Sequence, residues 1–102
     1  MQTEEMILLE EFCMHHQIEI SFVRSLQRSG LIEVLQTGEK LCLPRDQLPE
    51  LEKMARLYYE MDINMEGIET ISYLLSRMHG MQEEIIQLHN RLQVYEEVEV
   101  DQ

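Results

Sequence analysis

The chain has 102 residues, 44% of them hydrophobic, and sets 20 acidic against 8 basic side chains for a formal charge of -12. That length holds one small domain plus an extension. The charge excludes general affinity for nucleic acid or anionic membrane, favours solubility or a basic protein partner, and leaves room for a locally basic DNA-reading helix. The two cysteines, Cys13 and Cys42, are widely spaced and fit a reducing cytosol better than a disulfide framework. No basic segment leads into an apolar run at the N-terminus, and no apolar stretch reaches the ~20 residues of a membrane span, so a cytoplasmic, non-membrane protein is expected.

Taken in order, Met6–Leu9 reads as a short strand and Glu10–His16 as a turn or two of helix with Phe12 and Cys13 beside Leu9 on one face. Ser21 is a candidate N-cap for a second helix, Phe22–Arg28, which turns Phe22, Val23 and Leu26 inward and closes at Ser29–Gly30. Two short helices joined by a tight turn predict a helix-turn-helix. The period then changes. Leu31–Leu35 and Lys40–Leu43 are β-prone and flank Thr37–Gly38–Glu39, which predicts a hairpin wing. Pro44 ends the wing, and Asp46 is a candidate cap for a third helix over about Gln47–Met61 that tolerates Pro49 in its first turn.

Asp62–Asn64 interrupts the helical pattern, Asn64 is a good cap for the last helix, and Ile63 with Ile68 has hydrophobic-staple spacing. That helix is expected from Met65 to about Tyr95, with a kink or soft spot at Gly80 and an acidic, frayed tail over 96–102. Within it Ile71, Leu74, Met78, Met81, Ile85, Leu88, Leu92 and Tyr95 occupy successive a and d places of a heptad. A stripe of period ~3.5 is a seam for another helix. Folding back at Gly80 would make the seam internal; because the register passes unbroken through the glycine, the expected partner is a second chain, in a homodimer. In a parallel pair Glu84 would face His89 and Arg91 would face Glu96. An antiparallel pair centred on Glu84 would face Arg77 with Arg91 and Glu84 with itself, and exposed pairs worth under ~1 kcal/mol leave the orientation open. The expected organisation is residues 1–62 as the winged unit with its connecting helix, 63–95 as the coiled-coil helix, and 96–102 as the tail.

Three patches together carry a resemblance. Glu11–Phe12–Cys13–Met14–His15 opens the helix-turn-helix; Leu57–Tyr58–Tyr59–Glu60–Met61–Asp62–Ile63–Asn64–Met65–Glu66–Gly67–Ile68 joins the last two helices; Asn90–Arg91–Leu92 lies at the end of the coiled coil. From about Leu8 to Leu92 the chain resembles the chaperone-modulator CbpM family. The resemblance implies a mostly α, MerR-like winged helix-turn-helix with a small β-hairpin wing, followed by a long C-terminal coiled-coil helix. It also implies a bacterial, cytosolic inhibitor that occupies the J-domain of a CbpA/DnaJ-type co-chaperone and prevents it from stimulating Hsp70 (DnaK). J-domains dock through a basic helix, for which an acidic protein can compete, and Glu60, Asp62, Glu66 and Glu69 supply charge in and beside the most specific patch. Tyr58 and Tyr59 depart from the family pattern, where many relatives carry basic or polar residues.

The rival expectation is a MerR-type transcriptional regulator that contacts DNA through Arg24 and Arg28 on the second helix and Lys40 by the wing. Three scattered cations in so acidic a chain offer few phosphate contacts, which ranks DNA below the J-domain. Cys13 with His15 and His16 invites a metal reading, but adjacent histidines point to different helix faces and a lone cysteine packs as a small hydrophobe, so no metal and no cofactor are expected. No phosphate-binding loop, nucleophile motif or distinctive carboxylate pair is visible, and no catalytic residue is expected: the chain does not read as an enzyme.

Overall fold

A computed structural model describes residues 5–100, with side chains described for 5–97. The element order is β1 (Met6–Leu8), α1 (Leu9–His16), α2 (Ile20–Arg28), β2 (Leu35–Thr37), β3 (Lys40–Pro44), a 3-10 turn (Arg45–Gln47), α3 (Leu48–Tyr59) and α4 (Met65–Val100). This is a winged helix followed by a long helix. The chain divides into two compact units, Met1–Glu69 and Thr70–Gln102.

In the first unit the strands form one antiparallel sheet in the order β1-β3-β2, with Ile7 opposite Leu43 and Leu35 opposite Cys42. β1 is thus the third strand of the wing. The hairpin is shorter than the sequence predicts, because Leu31–Val34 does not join the sheet. The end of α2 explains this. Gly30 takes a left-handed φ of 80°, its N–H donates to Gln27 O at 3.0 Å, and the Leu31 N–H donates to Leu26 O at 3.0 Å. That Schellman-type closure turns the chain inward and buries Ile32 in the core, where a strand would have sent alternate residues outward.

The core joins Leu9, Phe12 and Cys13 of α1 to Phe22, Val23 and Leu26 of α2, Leu43 of β3, Leu51 and Met54 of α3, and Ile68 of α4. Ile68 is fully buried, so the first turn of α4 is a structural part of the winged unit. Two expected caps are displaced. α2 begins at Ile20, ahead of Ser21, with Glu19 as an extended N-cap that makes no side-chain cap bond. Asp46 lies within the 3-10 turn, and α3 starts two residues later, with proline in its first turn. The cap of α4 is as expected: Asn64 Oδ1 accepts the Gly67 N–H at 2.8 Å.

Described by itself, the second unit is helix. α4 is continuous through Gly80, and it extends beyond Tyr95 to Val100; residues 101–102 of the expected tail lie outside the described residues. No glycine or proline follows Gly80, so nothing in the backbone chemistry stops the helix near Tyr95.

Candidate protein-binding face

Between α3 and α4 the chain turns on a left-handed residue that is not glycine. Asp62 has φ 57°, a conformation aspartate tolerates better than most side chains. The turn is closed on both sides: the Glu60 and Met61 N–H groups both donate to Arg56 O, and the Ile63 N–H donates to Leu57 O at 3.0 Å. Gly67 packs tightly behind it, since a Cβ there would lie 2.7 Å from Ile63 Cγ2. The segment with the most specific resemblance is therefore a shaped corner with three separate backbone demands, at Asp62, Asn64 and Gly67.

The four candidate carboxylates sit on this corner. Glu60 is the C-cap of α3, Asp62 is the turn residue, and Glu66 and Glu69 occupy the start of α4; all are exposed. They are not equivalent. The Glu69 Oε2 accepts the Ser29 hydroxyl at 2.6 Å, which ties α4 to the end of α2 and gives Glu69 a structural role of its own. Asp62 is committed by its backbone conformation.

The corner adjoins an aromatic cluster. Phe22 lies 4.6 Å from Tyr58 and 5.5 Å from Tyr59, centroid to centroid, and the two tyrosines meet edge-on at 5.0 Å. The Tyr59 hydroxyl accepts the Glu19 N–H at 3.0 Å, serving the first orphan donor of α2 that no side-chain cap takes. This link joins residues 40 apart and has no local sequence signal. Tyr58 and Tyr59 nonetheless remain more than a third exposed.

Next to Tyr59 lies a groove of about 410 Å³ between the end of α1 and one side of α3. Its floor is Phe12, Ile18 and Ala55, and its edges carry Glu52, Arg56 and Glu60. His16 stacks on Phe12 at 4.3 Å and places Nε2 3.7 Å from Glu52 Oε2. Gln17 closes α1 in the left-handed region, φ 57°, which lets Ile18 turn back toward the core. Sequence reasoning did not anticipate the groove, because its two walls are about 40 residues apart and a non-glycine αL residue leaves no composition cue.

The residues of the DNA reading are less well presented. Arg24 is half-buried, Arg28 is exposed with Nη2 donating to Ser25 Oγ at 3.1 Å, and Lys40 is exposed at the start of β3 beside Glu39. Of the seam residues, Ile71 is half-buried, while Leu74, Met78, Met81, Ile85, Leu88, Leu92 and Tyr95 are all exposed in the single chain. Cys13 is buried, and burial pushes its thiol above the ordinary range; among the described residues no group of three His, Cys, Asp or Glu is placed to hold a metal ion. No described helix is long and apolar enough to cross a membrane.

Residues 7–90 match the model of a family described as MerR HTH family regulatory protein. Comparison with curated proteins gives no match. Comparison with solved structures gives none either.

Proposed function

The chain belongs to the MerR HTH regulatory protein family, and from that premise we propose that it is a chaperone modulator, binding the J-domain of a CbpA/DnaJ-type co-chaperone and blocking that domain's stimulation of Hsp70 (DnaK). The observation that carries this reading is the contrast between two faces. The corner over residues 60–69 exposes Glu60, Asp62, Glu66 and Glu69, whereas the helix in the recognition position exposes one cation, Arg28, and that one is bonded to Ser25. Opposite charge steers a basic helix to the first face; phosphate backbones need more cations than the second presents. The chain acts by occupancy in the cytoplasm, with no reaction or cofactor of its own.

The same proposal includes a homodimer through the a and d residues of α4. Light scattering at micromolar concentration is expected to show a dimer of the 12.2 kDa chain, and Ile85→Lys to return it to monomer; a parent that is already monomeric removes the dimer.

The direct test is a pull-down with the organism's own J-domain protein, followed by Hsp70 ATPase measurements. Stable binding and loss of J-domain stimulation are expected, with association slowing as salt rises, because charges are screened beyond about 8–10 Å. Glu60→Lys with Glu66→Lys should weaken binding far more than the equal charge change Glu39→Lys with Glu50→Lys. Equal losses would reduce the effect to net charge and remove the site. Failure of the parent chain to bind, together with competitor-resistant retardation of promoter DNA that disappears in Arg24→Ala/Arg28→Ala, would establish the DNA-binding regulator in its place.

A further inference from the structure

The groove beside α3 has a pattern that specifies more than charge. Glu52 and Glu60 stand eight residues apart, so their backbone positions are separated by about 12 Å along the helix direction, at a rise of ~1.5 Å per residue. Between them the floor is apolar: Phe12 is fully packed beneath, and Ile18 and Ala55 are half-buried at its surface. Arg56 is four residues from each carboxylate, midway along the same edge, and makes no ion pair within 4 Å with either. Tyr59 continues the groove toward the corner with 40% of its surface exposed.

We infer that this groove seats an amphipathic helix of the partner protein that carries basic residues two turns apart and apolar residues between them. Negative charge at both ends and an apolar centre match such a helix, whose own repeat puts residues about seven or eight apart on one face at the same ~12 Å interval. Arg56 sets the order. It repels a third cation at the centre of the groove, which selects a partner with apolar residues in the middle over a uniformly basic one. His16 Nε2 lies 3.7 Å from the far carboxylate, Glu52 Oε2, at the groove's edge. The inference rests on the reading above only in taking the partner to be a protein helix, and it adds a docking surface on α1 and α3 to the corner at residues 60–69.

The experiment uses the full chain and two labelled helical peptides of identical composition. One carries arginines two turns apart with leucines between; in the other the arginines and leucines are exchanged. Fluorescence anisotropy is expected to show the first peptide binding at least about tenfold more tightly. Glu52→Gln should weaken it about threefold and Glu52→Lys more, while Arg56→Glu should strengthen binding of the exchanged peptide. A gain of affinity cannot arise from misfolding, and unchanged far-UV circular dichroism checks the losses. Equal binding of the two peptides, or no response to Glu52 and Arg56 substitutions, overturns the groove. The J-domain arm separates the two proposals. Parent binding to the J-domain that ignores Glu52→Lys and Arg56→Glu overturns the groove and leaves the chaperone reading standing. Peptide discrimination without J-domain binding supports the groove and removes the J-domain as its occupant.

Discussion

The two units solve the problem of burial in opposite ways. In the first, each helix contributes to one core: Leu26, Leu43, Leu51 and Ile68 are all fully buried although they come from four different elements. In the second, every described side chain from residue 73 to 97 is exposed, apolar a and d residues included. A fold held by mutual packing is specified by its own sequence. A bare helix of this kind owes its stability in water to propensity and to whatever covers it. Regularity of pattern and self-sufficiency of packing are therefore separate properties, and the most regular part of this chain has the least core of its own.

The largest test of that contrast is a matched pair of truncations. Ile68→Ala should cost about 2–5 kcal/mol in denaturant unfolding of the winged unit. Leu88→Ala, measured where the chain is monomeric, should change unfolding by less than about 0.5 kcal/mol. Similar costs for both would mean that the α4 stripe is already buried within one chain. Next in size is Gly67→Ala. The 2.7 Å approach to Ile63 Cγ2 leaves no room for a methyl group, and Ile63 is stiff at χ1, so a loss of about 1–3 kcal/mol is expected despite alanine's better helix propensity. A stabilised variant would show that the corner yields easily.

Asn64→Ala removes the side-chain cap of α4 and should cost about 1 kcal/mol, seen as a lower midpoint with an unchanged slope in urea. The smallest expected effect is a gain. Gln17→Gly relieves a left-handed φ of 57°; against glycine's greater chain entropy, a net stabilisation of about 0.5 kcal/mol is expected from thermal unfolding. A loss would show that the Gln17 side chain contributes at the groove beyond its backbone.

Legibility in the sequence followed the same division. Gly30 ending α2, Asn64 capping α4, Ile68 buried in the core with Ile63 packed against it, and the long helix all rest on local chemistry, within a few residues, and were readable. The strand expected at Leu31–Leu35 begins only at Leu35, because tertiary burial of Ile32 outweighed local β propensity. Left-handed Gln17 was invisible for a different reason: glutamine carries no preference for φ > 0, whereas Asp62 showed only as part of a break in the helical pattern, although aspartate tolerates that conformation. The remainder of the site is long-range. The Tyr59–Glu19 and Ser29–Glu69 bonds each join residues 40 apart, and no spacing rule reaches that far. The charges of the corner were readable as charges, but that Glu69 is already engaged was not.

One feature of the core has a use in the laboratory. Cys13 on α1 and Cys42 on β3 are both buried, and desolvation raises the Cys13 thiol, so the reactive thiolate is doubly scarce while the fold is closed. Each thiol becomes available to an alkylating reagent when its element opens. Labelling rates at the two positions then serve as an internal clock for opening of the helix-turn-helix and of the wing. If the winged unit opens as one cooperative body, the two clocks run at a common free energy; if the sheet detaches first, Cys42 runs ahead.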